Sequence, residues 1–151
     1  MLEALTLASL ILLVWASDLC PPACQCLHNL TSITCQEKGL DLIPELPQDA
    51  EKLYISYNKI QEIPRRGLEK LRLDSNQISD LPEGVFDSLS SLNELQLSYN
   101  CILELHPALF TKLKSLQNLY LEHNALSHLP KGLFHRMNDL REAFVTEQQP
   151  E

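Results

Sequence analysis

A segment of eight residues with asparagine at its sixth position recurs along the chain and constrains the fold more than any other feature. Its four copies read LYISYNKI, LRLDSNQI, LQLSYNCI and LYLEHNAL. Their asparagines follow one another at intervals of 18, 24 and 24 residues and are Asn58, Asn76, Asn100 and Asn124. Phenylalanines keep the longer period at Phe86, Phe110 and Phe134. Such self-similarity is typical of a solenoid, in which each unit packs against its neighbours.

Each copy begins with two aliphatic residues separated by one other residue. Because side chains alternate along a strand, this pattern predicts a short strand whose aliphatic pair points inward. Stacked copies then form a parallel sheet. The asparagine is predicted to be structural, since its amide can bond turn groups that would otherwise be buried without partners. The phenylalanines are predicted to stack as a buried spine on the convex side.

The amino-terminal segment 4–16 reads ALTLASLILLVWA and is uncharged and apolar. It is too short to span a membrane but has the length of a secretory signal core. We predict a signal peptide over residues 1–16, cleavage after Ala16 and a secreted product. Glu3 is unusual in a signal, and a buried amphipathic element is the alternative. No second apolar stretch of the sequence is long enough to span a bilayer.

Four of the five cysteines follow closely, spaced C-x3-C-x-C-x8-C at Cys20, Cys24, Cys26 and Cys35. In an oxidising compartment they are expected to form two disulfides rather than a zinc site, and four cysteines allow three connectivities. The sequon at Asn29 predicts a surface glycan between them. Cys101 is left over, either as a reduced thiol or as the site of a disulfide-linked dimer.

The pattern changes at both ends of the repeat array. The first repeat is six residues shorter than the others and carries several basic residues, so its convex wall is expected to be thin. At the other end, LREAFVTEQ has Ala143 in place of leucine and Gln148 in place of asparagine. This segment is either a makeshift cap or a sign that the chain is a shortened form of a longer protein. The predicted domains are a cysteine-rich cap over 17–49, repeats over 50–139, and a degenerate last strand and tail over 140–151.

The segment CPPACQC with Cys35, followed by repeats of the form L-x-x-L-x-L-x-x-N-x-L, resembles the extracellular leucine-rich repeat superfamily from Cys20 to Val145. The cysteine spacing and IPRRGLEKLRLDSN resemble small chondroadherin-like proteins of the matrix. The cap and LPKGLF resemble platelet-glycoprotein and Toll-type receptor ectodomains.

The resemblance implies an α/β leucine-rich repeat solenoid. A curved parallel sheet forms its concave face, and short irregular or 3-10 segments form its convex side. It also implies that the cap cysteines pair first to third and second to fourth, as Cys20 with Cys26 and Cys24 with Cys35. Proteins of this kind bind protein ligands on the concave sheet. The chain departs from matrix members in having fewer repeats and no second cysteine cluster.

Strand positions beside the inward leucines are expected to face outward and to form a binding surface. The residues predicted to bind are Tyr54, Tyr57, Arg72, Asp74, Gln96, Tyr99, Tyr120, Glu122 and His123. All four tyrosines of the chain fall at outward positions, and aromatic rings supply contact area at low entropic cost. The alternative is that tyrosine simply suits an exposed strand. The other outward positions are Lys52, Ser56, Lys70, Ser75, Glu94, Ser98, Asn118 and Phe144.

The net charge and the catalytic motifs that the sequence lacks limit the functions that can be expected of this chain. The net charge of -8 opposes binding to nucleic acid. The sequence lacks nucleophile-elbow, phosphate-loop and H-E-x-x-H motifs, and its histidines fall at different repeat positions, so no enzyme, metal site or cofactor is predicted. The predicted function is a secreted protein-binding module whose partner is a matrix component, growth factor or receptor. The alternative is a fragment or shortened form of a receptor ectodomain that acts in adhesion or innate immune recognition.

Overall fold

The computed structural model describes residues 19–146, so the predicted signal peptide and Gln148 lie outside the described residues. The described chain forms one seven-stranded sheet, with the strands in chain order. Each strand has three residues, and their bounds are β1 Gln25–Leu27, β2 Ser32–Thr34, β3 Lys52–Tyr54, β4 Lys70–Arg72, β5 Glu94–Gln96, β6 Asn118–Tyr120 and β7 Glu142–Phe144. Residues 19–146 contain no helix, and turns and extended segments connect the strands.

The strands stack in a register that aligns equivalent residues of successive repeats. β1 and β2 form an antiparallel hairpin, and every later pair is parallel. The central leucine of each strand from β3 to β6 lies against its counterpart in the next repeat and is fully buried. The core therefore runs along the solenoid as stacked rows of aliphatic side chains. The leucine-rich repeat solenoid expected from the sequence is confirmed.

The cysteine-rich cap occupies the place of a preceding repeat. Ile33 in β2 aligns with Leu53 in β3, and both are fully buried. Disulfides join Cys20 to Cys26 with the sulfurs 2.01 Å apart and Cys24 to Cys35 with the sulfurs 2.05 Å apart. These are the pairings that the family resemblance implies. The cap covers the apolar face that the first repeat would otherwise expose to water.

The asparagine amides connect successive repeats. Asn100 Nδ2 donates to the carbonyl oxygens of Leu97, in its own turn, and Leu73, in the preceding repeat, both at 3.0 Å. Its Oδ1 accepts from the backbone N–H of Ile78 at 3.0 Å. Asn58, Asn76 and Asn124 make the equivalent bonds, and all four are at most 9% exposed. We call these four residues the asparagine ladder.

The convex side differs between the short repeat and the long ones. Phe86 and Phe110 are fully buried, with ring centroids 5.6 Å apart, whereas Phe134 in the last described repeat is half-buried. The first repeat has no phenylalanine at this position. Arg66 crosses the convex side there instead, and its Nη1 donates to the carbonyl oxygens of Leu46 and Pro47 at 3.0 and 2.6 Å.

We predict that Asn100→Ala lowers the free energy of unfolding by on the order of 1 to 3 kcal/mol, because buried carbonyls in two repeats lose their donor. Urea titration or thermal unfolding measures the change. Asn138→Ala is the matched control, since Asn138 is exposed in a turn. Equal stability of the two variants would contradict the structural role of the ladder.

Candidate binding surface

Four columns of side chains run across the strands and the residues that follow them, and together they form what we call the concave face. The first column contains Lys52, Lys70, Glu94, Asn118 and Glu142, and the second contains Tyr54, Arg72, Gln96, Tyr120 and Phe144. The third contains Ser56, Asp74, Ser98, Glu122 and Thr146, and the fourth contains Tyr57, Ser75, Tyr99 and His123. The nine residues predicted to bind lie together in the second, third and fourth columns.

Exposure varies strongly among these outward positions. Tyr57 and Tyr99 are 59% and 57% exposed. In contrast, Ser56, Ser98 and Glu94 are 1%, 5% and 8% exposed, because neighbouring concave side chains cover them and bond to them. These three residues lie at outward strand positions, as expected, but neighbouring side chains leave little of them accessible to a partner.

The fourth column has a backbone conformation that the sequence pattern did not reveal. Tyr57, Ser75, Tyr99 and His123 directly precede the ladder asparagines and have φ values of 58°, 55°, 57° and 54°. This left-handed region is unfavourable for residues other than glycine and persists only where the surrounding structure requires it. Each N–H of the first three donates to a carbonyl of the next repeat, and that of His123 donates to Thr146 Oγ1. In the sequence, the residue directly before each ladder asparagine marks this left-handed turn.

Aromatic side chains on the face are ordered by stacking. Tyr99 stacks on His123 with ring centroids 4.3 Å apart, and Tyr120 stacks on Phe144 at 5.1 Å. The guanidinium carbon of Arg72 lies 5.7 Å from the centroid of the Tyr54 ring. Side chains that are already held in place lose less conformational entropy when a partner binds.

Glu94 forms ion pairs with Lys70 in the first column and Arg72 in the second. It accepts from Arg72 Nε at 3.0 Å and from Lys70 Nζ at 3.3 Å. Burial alone would raise the pKa of Glu94, but the hydrogen bonds and positive charges of Arg72 and Lys70 outweigh it and hold the pKa below its ordinary value. The face therefore keeps a buried carboxylate ionised and uses two of its basic side chains to do so.

A recess of about 230 Å³ opens between the third and fourth columns. Its lining residues are Tyr57, Asp74, Gln96, Ser98, Tyr99, Glu122 and His123. Buried serines hold its two carboxylates. Ser56 Oγ donates to Asp74 Oδ1 at 2.6 Å, and Ser98 Oγ donates to Glu122 Oε2 at 2.5 Å.

The remaining titratable and cysteine side chains are dispersed. Within the range 19–146, no three His, Cys, Asp or Glu side chains converge on a possible metal position. His106 lies 3.6 Å from Glu83 at an exposed edge, and Cys101 is exposed and outside both disulfides. The described part of the chain also has no helix with the length and apolar character needed to cross a membrane.

Comparison with known proteins agrees with this architecture. The sequence profile described as "Leucine rich repeat" matches residues 66–126 and 102–142, which together cover just over half of the chain. The chain belongs to the leucine-rich repeat family.

Several known proteins are similar to part of this chain. The chain is 34% identical to human mimecan and 32% identical to human epiphycan, over 47% of its length in each case and 25% and 23% of theirs. It is 33% identical to zebrafish leucine-rich repeat-containing protein 3, over 56% of the chain and 35% of that protein. The chain therefore spans about a quarter to a third of these relatives.

A solved structure shares the fold. A chain in the Toll - Spatzle complex of Drosophila superposes with a TM-score of 0.61 and 25% identity, over 68% of this chain and 15% of that one. The resemblance to leucine-rich repeat proteins of matrix and Toll type is thus confirmed.

We predict that Glu94→Gln lowers the free energy of unfolding at neutral pH by about 1 kcal/mol, a modest value because Lys70 and Arg72 are partly exposed. Since the folded-state pKa of Glu94 is lowered, its ionic contribution is present above the ordinary glutamate pKa and is lost as the pH falls through the lowered one. Chemical denaturation at several pH values tests this. The exposed Glu69→Gln is the control, and a stability difference that persists in acid would refute the ionic origin.

Proposed function

We propose that this chain is an extracellular, non-enzymatic module that binds another protein through its concave face. The supporting observation is the pair of ordered aromatic stacks, Tyr99 with His123 and Tyr120 with Phe144, on an otherwise polar sheet. Rigid aromatic rings among serine, asparagine and charged side chains are typical of protein-recognition surfaces. The partner is a matrix component, a growth factor or a receptor.

Similarity to matrix-type and Toll-type proteins supports this proposal. The solved structure that shares the fold is a complex of Toll with Spatzle, and a protein partner for this chain follows by analogy. The same similarity favours a second candidate, in which the chain is part of a receptor ectodomain that acts in adhesion or innate immune recognition. Sequencing of the transcript beyond Glu151 separates the candidates, because a receptor requires further repeats and a membrane span.

Extracellular localisation is supported by the cap. Its two disulfides are stable in oxidising compartments. Asn29, in the sequon, is exposed in the turn between β1 and β2, where a glycan can be attached without disturbing the core.

We predict that the triple variant Tyr54→Ala, Tyr99→Ala and Tyr120→Ala loses partner capture while remaining folded, because three aromatic contacts are removed from the face. Immobilised chain is exposed to conditioned medium or matrix extract, and captured proteins are quantified against the unsubstituted chain. The control replaces Leu42 and Leu103 with alanine, since both are large exposed hydrophobic residues outside the concave face. Capture that survives the tyrosine substitutions would move the site off the concave face.

We predict that cells release a chain that begins at Ser17 and carries two disulfides and a glycan on Asn29. Intact mass with and without reductant and glycosidase measures all three features, and Asn29→Gln removes the glycosidase-sensitive mass. Any covalent dimer forms through Cys101, the exposed cysteine outside both disulfides, so Cys101→Ser abolishes it. Retention of the chain in cells, or a dimer that persists in Cys101→Ser, would contradict this reading.

A further inference from the structure

The recess between the third and fourth columns contains two carboxylates, those of Asp74 and Glu122. In the described part of the chain, no lysine or arginine pairs with Asp74 or Glu122, whereas Glu94 pairs with two. Asp74 and Glu122 lie two strands apart, about 10 Å at ordinary strand spacing. Since each accepts a serine hydroxyl through one oxygen, its second oxygen is held ready for another donor.

Aromatic rings line the same recess. Tyr57 and the stacked pair of Tyr99 and His123 form parts of its wall, in positions set by the left-handed backbone of the fourth column. Gln96 and Ser98 complete the lining with neutral polar groups. The site therefore combines negative charge with aromatic side chains, and the two together favour a cation.

Elsewhere on the concave face, an aromatic ring and a carboxylate together bind an arginine of the chain itself. The guanidinium of Arg72 lies over the Tyr54 ring and donates to the Glu94 carboxylate. The recess repeats the aromatic ring and the carboxylate, but no lysine or arginine of the described residues lines it. An arginine fits better than a lysine, because its planar guanidinium stacks on rings and donates two parallel hydrogen bonds to a carboxylate.

We propose that the recess binds an arginine side chain of the partner protein. This inference rests on the proposed function and specifies its chemistry: the partner presents an exposed arginine to Asp74 or Glu122. The net charge of -8 favours a basic partner surface and speeds its association.

The test uses the tripeptide N-acetyl-Gly-Arg-Gly-amide and the same peptide with citrulline, which keeps the shape of arginine without its charge. Nuclear magnetic resonance titration of the intact chain is expected to shift the ring signals of Tyr57, Tyr99 and His123 with the arginine peptide only. Asp74→Asn with Glu122→Gln is expected to weaken binding by roughly tenfold or more. Both substitutions keep an oxygen for the serine hydroxyls, and each single variant is measured as well.

The matched control is Asp80→Asn with Glu104→Gln, which removes the same charge at exposed positions outside the concave face. If this control weakens peptide binding equally, the loss of net charge explains the effect and the proposal is overturned. Equal shifts with the citrulline peptide, or with a lysine peptide, would overturn the assignment to arginine.

The peptide titration needs no partner protein, so it tests the recess separately from the wider concave face. If the peptide causes no shifts but partner capture still depends on the tyrosines, only the recess site is rejected. Peptide binding without tyrosine-dependent capture would instead reject the wider binding face and keep the recess.

Discussion

The hydrogen-bonding requirement of buried backbone in each turn governs this structure. A solenoid turn removes carbonyl and N–H groups from water at every repeat, and an unpaired buried group costs more than a typical hydrogen bond returns. The carboxamide of asparagine both donates and accepts, so one side chain serves its own turn and the preceding repeat together. Asn76, for example, bonds the carbonyls of Leu73 and Ile55 and the N–H of Ile60. The apolar rows can stack because this ladder holds the repeats at one spacing.

The same ladder shapes the concave face. To bring each asparagine inward, the residue before it adopts a left-handed conformation and is bonded to the next repeat. Tyr57 and Tyr99 are consequently presented outward from backbone that is hydrogen-bonded to the next repeat. A constraint that exists for stability thus positions the aromatic side chains that we propose for recognition.

The cap and the short repeat meet the same requirement with other residues. Lys38 stands where the asparagine would be, and its backbone N–H donates to Asn58 Oδ1, so the ladder extends one step into the cap. Cys35 replaces the second inward aliphatic residue and is fully buried in a disulfide. On the convex side, the Arg66 guanidinium reaches carbonyls of the preceding segment. Lys38 and Arg66 thus supply hydrogen bonds where the repeat pattern is interrupted, and Cys35 keeps its inward position apolar.

Sequence and tertiary structure decided different parts of this protein. The period of the repeats determined the parallel sheet, the inward leucines, the asparagine ladder and the common face of the four tyrosines, because alternation along a strand depends only on local position. The burial of Ser56, Ser98 and Glu94, the stacks on Tyr99 and Tyr120, and the two unpaired carboxylates of the recess emerged only in three dimensions. The hydrogen bonds and stacks among them join side chains 18 to 24 residues apart in sequence, and the recess brings together Asp74 and Glu122 from positions still further apart. Their contacts depend on the exact register and curvature of neighbouring repeats, which no single repeat encodes.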